Sequence, residues 1–281
     1  MVRQKSVFEF VVVVVYVDVN VDAHVTTRPL PPGPAALLCL LLLACPSSAP
    51  AQPAAVRPVV AIVIDDVGES VDQLQPFLSI PLPLSFSVLP TTDRPAEVAG
   101  HLARLGRDVL VHLPMEPAEP DQMAGPGFLT TAMDAPTLRA VLARLLERVP
   151  SAVGANNHMG SRFTRDAARM EVVLAAMRER GLFFLDSRTD PGTVGGAVAA
   201  KVGLPFMERD VFLDNDPGEQ EVLARLSDLA ATARAKGCAV AIGHPRAATA
   251  SALARFARDP ARDVDLVPAS RLPAPCRRPG P

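Results

Sequence analysis

Two adjacent carboxylates, Asp65-Asp66, stand directly after the β-branched run Val59–Ile64. Such a pair at the end of a buried strand repels itself and is costly to desolvate, so it calls for a cation or a shared proton. Neighbouring residues of an extended segment point to opposite sides, so one can bind a metal while the other faces a substrate as a base. The plainer alternative is that Asp66 caps a short following helix, with Gly68 marking the turn. Four more apolar runs end on groups of the same kind. Val109–Val111 leads to His112, Val153–Ala155 to Asn156-Asn157-His158, Leu182–Leu185 to Asp186 and Ala239–Gly243 to His244. Parallel α/β architectures collect active sites at the carboxyl ends of their strands. One sheet can therefore bring all of these groups to one mouth.

Each group has its own chemistry and a plainer alternative. Glu116 follows His112 by four residues across Pro114; a helical turn there would put both on one face at a spacing common for metal ligands. Otherwise Glu116 is solvated and His112 is a hydrogen-bonded strand end. Asn156-Asn157-His158-Met159-Gly160-Ser161 reads as a polar connection between a strand and a helix. Turn chemistry accounts for the asparagines and the glycine but not for His158. Asp186-Ser187-Arg188-Thr189 can orient a histidine or clamp an acidic group, since arginine offers a planar fork of donors, or it can be an ion pair that holds a loop. Glu208-Arg209-Asp210 and Asp214-Asn215-Asp216 form a second acidic cluster, read as a solvated loop or part of the rim. His244, between Gly243 and Pro245, suits a proton donor poised near neutral pH. His101, in an amphipathic segment, and His24, far upstream, are given no role.

The elements that must position these residues alternate. Strands are predicted over Val59–Ile64, Leu84–Leu89, Asp108–His112, Leu182–Asp186, Ala239–Gly243 and Val264–Val267. Helices are predicted over Arg94–Leu105, within Thr130–Val149, over Arg165–Arg180 with Thr164 as N-cap, over Glu219–Lys236 and over Ala248–Ala257. Continuous β-branched runs separated by helices predict parallel strands buried on both faces. The expected fold is a single α/β domain, a distorted (β/α) barrel with seven or eight mostly parallel strands. A doubly wound open sheet is the alternative.

Composition narrows the partners. The formal charge is −2, and no basic run interleaved with aromatics argues for nucleic acid. Aromatics make up 4% of the chain, with no tryptophan, so a stacking platform must come from phenylalanine. Residues 1–55 read as a signal-peptide region. Ala35–Cys45 is an apolar run of about 11 residues, the length of a secretory h-region and too short to span a bilayer. Ala49-Pro50-Ala51 supplies the expected cleavage site, and Leu42-Leu43-Ala44-Cys45 loosely resembles a lipobox, which would anchor a lipoprotein. Upstream, Met1–Thr27 reads either as an over-extended start, with the true start near Val25, or as a genuine extension. The folded domain is expected over 56–271, with a disordered tail at 272–281 and no transmembrane helix in the mature form. Cys238 and Cys276 can pair in an oxidising compartment, or Cys238 can be an inert core thiol. Zinc-type CxxC spacing is absent, so Asp, His and Glu must hold any metal.

Six blocks, in order, carry a resemblance. They are Ile64-Asp65-Asp66-x-Gly68, His112-Leu113-Pro114-Met115-Glu116-Pro117, Asn156-Asn157-His158-Met159-Gly160-Ser161, Asp186-Ser187-Arg188-Thr189, Glu208-Arg209-Asp210-Val211-Phe212-Leu213-Asp214 and Ile242-Gly243-His244-Pro245. Together they resemble the blocks of the divergent polysaccharide deacetylases, exported bacterial relatives of the metal-dependent carbohydrate esterases. The resemblance covers 58–270. It implies a distorted (β/α) barrel, a divalent metal (zinc first), Asp65 as base, Asp66 and His112 as metal ligands and His244 as acid. A second histidine usual in the wider family is Glu116 here, so His158 supplies the missing nitrogen or Glu116 ligates through oxygen. The usual Arg-x-Pro-Tyr block and the tryptophan of the acetyl pocket are absent.

The leading expectation is an exported, metal-dependent hydrolase of the periplasm or cell envelope. It would deacetylate an N-acetylated polysaccharide or peptidoglycan-type glycan, with Asn157 or Ser161 as oxyanion donors and Asp186 and Arg188 near metal or substrate. The rivals are a catalytically inactive barrel that binds envelope glycan or protein, and a glycosidase with paired carboxylates.

Overall fold

Strand pleating decides which residues of this chain face inward, because successive side chains alternate between the two faces of a sheet. The computed structural model describes residues 57–119, 127–259 and 262–277. Its strands are β1 (Val59–Val67), β2 (Ser85–Val88), β3 (Val109–Met115), β4 (Gly154–Met159), β5 (Phe183–Asp186), β6 (Phe206–Glu208), β7 (Val211–Phe212), β8 (Cys238–Gly243) and β9 (Asp265–Leu266). Its helices are α1 (Gln75–Leu78), α2 (Pro95–Arg104), α3 (Ala135–Glu147), α4 (Ala167–Glu179), α5 (Gly195–Val202), α6 (Glu219–Lys236) and α7 (Ala247–Arg258). The signal-peptide, cleavage, lipobox and start-site expectations all fall outside the described residues.

The sheet order is β6-β5-β4-β3-β2-β1-β8-β7, with β9 beside β1, and the pairings are parallel. The two ends of this path, β6 and β7, are consecutive in the chain and separated only by Arg209-Asp210. That link bonds to the strands beside both ends: Arg209 N donates to Asp186 O of β5 (3.0 Å) and Asp210 N to Val240 O of β8 (2.8 Å). The sheet therefore curls until its ends meet across one short seam. This is the expected distorted (β/α) barrel, and it excludes the open doubly wound alternative.

The hydrophobic core divides by strand parity. Val60, Ile62 and Ile64 of β1 pack outward with Leu102 of α2, Leu142 of α3, Leu174 of α4, Leu229 of α6 and Leu253 of α7. Ala61 and Val63 turn inward with Leu110, Phe183, Leu185, Met207, Val240 and Ile242. Each buried Leu, Ile or Phe side chain contributes about 1.5–3 kcal/mol. Continuing the inward rows by two residues reaches Asp65, His112, Ser187, Arg209 and His244. Gly154 opens the equivalent row of β4 because a Cβ there would meet the Phe183 ring at 2.6 Å. The inner face thus changes from apolar to polar at one end of the barrel.

The opposite end is closed by the C-terminal segment. Cys238, at the start of β8, forms a disulfide with Cys276, and Ala269 and Leu272 join the inner cluster. The Arg277 guanidinium lies 5.5 Å from the centre of the Phe183 ring. Residues 272–277, expected as disordered tail, are instead tied under the barrel; 278–281 lie outside the described residues. No helix among the described residues is long and apolar enough to cross a membrane.

Several local expectations are corrected. Strand β3 runs on through Pro114 to Met115, so His112 and Glu116 never share a helical face. Proline is tolerated there because its ring nitrogen needs no ladder partner once β2 has ended, and Leu129 N donates to Pro114 O at 2.8 Å instead. Asn156, Asn157 and His158 lie within β4 rather than on a loop. Thr164 does not cap α4. A 3₁₀ turn over Phe163–Arg165 delays the helix, and Asp166 caps it by accepting from Arg169 N.

The seam has a side-chain latch. Asp210 Oδ2 accepts from Val240 N (2.9 Å), standing in for a missing ladder partner, and Oδ1 accepts from Lys236 Nζ (2.6 Å). Asp210→Ala is expected to lower the unfolding free energy by about 1–3 kcal/mol, since it strands a buried backbone N–H. Urea unfolding followed by circular dichroism measures it. A variant as stable as the parent would show that the backbone alone holds the seam.

Candidate metal centre

The polar ends of four strands converge at the mouth. Asp66 Oδ1 lies 3.1 Å from His112 Nε2 and 3.0 Å from His158 Nδ1, and those two nitrogens are 3.2 Å apart. One ligand atom from each of Asp66, His112 and His158 falls within 4.8 Å of the others. Asp66 Oδ1 is buried and accepts no well-aligned hydrogen bond. A carboxylate oxygen and two imidazole nitrogens this close together are three atoms that can each offer a lone pair to a common point. Two imidazoles and a carboxylate fit a borderline divalent cation, and the open remainder of the shell would admit water or substrate.

The charges follow from this proximity. Burial pushes the Asp66 carboxyl up, but the imidazoles of His112 and His158 outweigh it and hold the group well below the usual carboxylate range. Burial likewise pushes His112 down, yet Asp65 and Asp66 raise it to about 9. Asp65 is the reverse case. Its carboxyl is almost fully buried, and desolvation lifts it above the ordinary value despite His112 and Asn156.

Asp65 faces the same point from deeper in the barrel. Both its oxygens accept from Asn156 Nδ2 at 2.9 Å, and Oδ2 lies 3.6 Å from His112 Nε2. From the other side, His244 Nε2 lies 3.6 Å from Asp66 Oδ2. The His244 ring is held by Asp214, whose Oδ1 sits 2.9 Å from Nδ1 and whose Oδ2 accepts from the His244 backbone N at 2.7 Å. Burial pushes His244 down, but the Asp214 carboxylate more than offsets it and raises the imidazole above its usual value. Asp65 and a carboxylate-oriented imidazole therefore flank the cluster on two sides. Phenylalanine lines the surroundings, with Phe128 6.4 Å from His158 and Phe212 5.3 Å from His244.

Backbone geometry marks the mouth as well. Asp66, Met159 and Arg188 adopt φ values of 56°, 55° and 52°. Left-handed backbone is costly for residues with a Cβ and persists where the surroundings enforce it, often at functional sites. All three residues lie at or just beyond the carboxyl ends of β1, β4 and β5.

The remaining expected site residues are not brought into the cluster. Glu116 Oε2 accepts from Thr131 N (2.6 Å) and Thr131 Oγ1 (2.7 Å), and Oε1 pairs with Arg162 at 3.5 Å, so this carboxylate ties a loop. Asn157 Nδ2 donates to Met159 O and Thr189 Oγ1, and its Oδ1 accepts from Ser187 N, leaving no free donor for an oxyanion. Ser161 Oγ accepts from Ala118 N, away from the cluster. Asp186 closes its own turn through Arg188 N and Thr193 Oγ1. Arg188 pairs loosely with Glu208 at 3.7 Å.

Sequence reasoning missed two contributors. Asp214 reads as solvated loop or rim because β7 is two residues long and shows no periodicity; its place just after Phe212-Leu213, one strand from His244, is the available signal. Asn156 was passed over for its neighbour Asn157. Strand parity from Gly154 would have separated them, since Asn156 and His158 share a face and Asn157 does not.

The model of the divergent polysaccharide deacetylase family matches residues 62–273. Over 212 residues the chain is 34% identical to the uncharacterized protein YibQ of Escherichia coli, covering 75% of this chain and 66% of YibQ, just under two thirds of its length. It is 34% identical over 207 residues to an uncharacterized protein of Haemophilus influenzae, covering 74% of each. Among solved structures it is similar to the uncharacterized protein ATU2773 from Agrobacterium tumefaciens, with a TM-score of 0.73, 25% identity and coverage of 78% of this chain and 90% of the other. The matched span contains the paired aspartates, both cluster histidines and the His244–Asp214 pair, and the chain belongs to the divergent polysaccharide deacetylase family.

Proposed function

We propose that this protein is a metal-dependent hydrolase that removes acetyl groups from an N-acetylated envelope polysaccharide, such as a peptidoglycan-type glycan. The observation that carries this reading is the convergence of Asp66, His112 and His158 between Asp65 and the Asp214-held His244. Asp66, His112 and His158 would hold a divalent cation, zinc first. When bound, such an ion polarises an amide carbonyl and acidifies water.

The chain's own residues divide the proton work. Asp65, raised by burial and so a stronger base than an exposed carboxylate, takes a proton from the attacking water as its oxygen bonds to the carbonyl carbon. His244, kept protonated by Asp214, gives its Nε2 proton to the departing nitrogen as the C–N bond breaks, releasing acetate and a free amine. A polymer would reach the cluster from the carboxyl ends of the strands, because the disulfide-tied tail packs at the opposite end. Export to the envelope is supported by that disulfide, which persists in oxidising compartments, and by the apolar segment at Ala35–Cys45.

Three outcomes are expected. Elemental analysis of purified protein finds one equivalent of zinc or another divalent metal, and His112→Ala abolishes it. Protein free of metal and inactive on N-acetylglucosamine oligomers or peptidoglycan fragments would replace this reading with the silent glycan-binding barrel. Asp65→Asn and His244→Ala each lower acetate release by about 10²–10⁴-fold while leaving bound metal in place; loss of metal in either would reassign that residue as a ligand. Asp214→Asn removes the charge that stabilises the His244 imidazolium, so the alkaline limb of the kcat/KM profile moves to lower pH. The other charged groups facing His244, Asp65 and Asp66, are unchanged in that variant. An unmoved limb would mean that another group supplies the proton.

A further inference from the structure

We propose that Asn156 is the positioning residue of this centre, one amide that sets both the tautomer of His112 and the orientation of the Asp65 carboxylate. The proposal rests on the metal-site reading above and adds a residue that touches neither water nor substrate, since Asn156 is fully buried.

Every hydrogen-bonding capacity of this side chain is used. Oδ1 faces the Ser87 hydroxyl, which donates to it, and His112 Nδ1 at 2.8 Å. Nδ2 donates to both Asp65 oxygens at 2.9 Å and contacts Ser187 Oγ at 3.2 Å. A primary amide offers two lone pairs and two N–H bonds, and none is left over. Its orientation is fixed by charge: turned over, its oxygen would meet the Asp65 carboxylate and its NH₂ would meet His112.

The consequence for His112 is a proton on Nδ1. With that nitrogen donating to Asn156, Nε2 is the atom left to offer a lone pair toward Asp66 and His158, as a cation requires. For Asp65 the consequence is a bridge from one amide group to both carboxylate oxygens, which fixes the plane of the carboxylate. Ser187 is locked in turn by Asn157, whose Oδ1 accepts from Ser187 N at 2.9 Å. Two adjacent asparagines on opposite faces of β4 thus build a layered support. The base and the ligand it adjoins cannot be repositioned independently, because the same amide holds both.

Asn156→Asp and Asn156→Ala separate the two roles. Asp retains an acceptor for His112 Nδ1 but supplies no donor to Asp65; Ala supplies neither. Zinc titration against a chromophoric chelator is expected to show affinity lowered about 10–100-fold in Asn156→Ala and retained in Asn156→Asp. Acetate release is expected to be lost in both. Long-range ¹⁵N–¹H correlation of the His112 ring is expected to show a slowly exchanging Nδ1–H in the parent and its loss in Asn156→Ala. Equal zinc affinity and an unchanged Nδ1–H signal in Asn156→Ala would overturn the proposal, as would acetate release retained in Asn156→Asp. If the parent itself takes up no zinc, the metal reading fails instead, and the ring correlation in metal-free protein decides the role of Asn156 on its own.

Discussion

Two ionisable carboxylates at the end of a buried strand are the constraint around which this barrel is arranged. Asp65 and Asp66 are consecutive, they repel, and Asp65 is almost wholly removed from solvent. Isolated buried charge is among the most unfavourable things a fold can hold, and it persists only with close, well-oriented partners. Those partners come from three other strands: Asn156 and His158 from β4, His112 from β3, and His244 from the exit of β8. Each carboxylate is answered differently. Asp65 meets a neutral amide and stays a good proton acceptor, while Asp66 meets two imidazoles and stays ionised.

The barrel makes this possible through parity and closure. Alternating residues inside β1, β3, β5 and β8 are apolar until the last step of each row, where they become Asp65, His112, Ser187 and His244. A flat sheet with the same rows would leave β4 and β8 three strands apart, with β3, β2 and β1 not curled between them. Curling lets His158 and His244 both reach Asp66. Below, the Cys238–Cys276 tie and the inward packing of Leu272 close the other end, so the polar face opens in one direction only.

Much of this was legible in the chain. Continuous β-branched runs gave the strands, and the rule that parallel strands carry chemistry at their carboxyl ends gathered Asp66, His112, His158 and His244. What escaped notice has physical reasons. Glu116 was tied to His112 by helical spacing, but hydrogen bonding to Leu129 keeps the chain extended past Pro114, and spacing rules change with the element. Asn157 carries the same side chain as Asn156, and only the pleat tells which of them points inward. Asp214 follows a strand too short to announce itself. The C-terminal tail reads as disordered by composition, yet one covalent bond to β8 overrides composition.

The seam at Arg209-Asp210 is where the barrel closes. Here one extended segment changes partners within two residues, Arg209 bonding to β5 and Asp210 to β8, and so serves as both ends of the sheet. An insertion there would part the two ladders and so alter the opening, while leaving Asp66, His112 and His158 at the ends of their own strands.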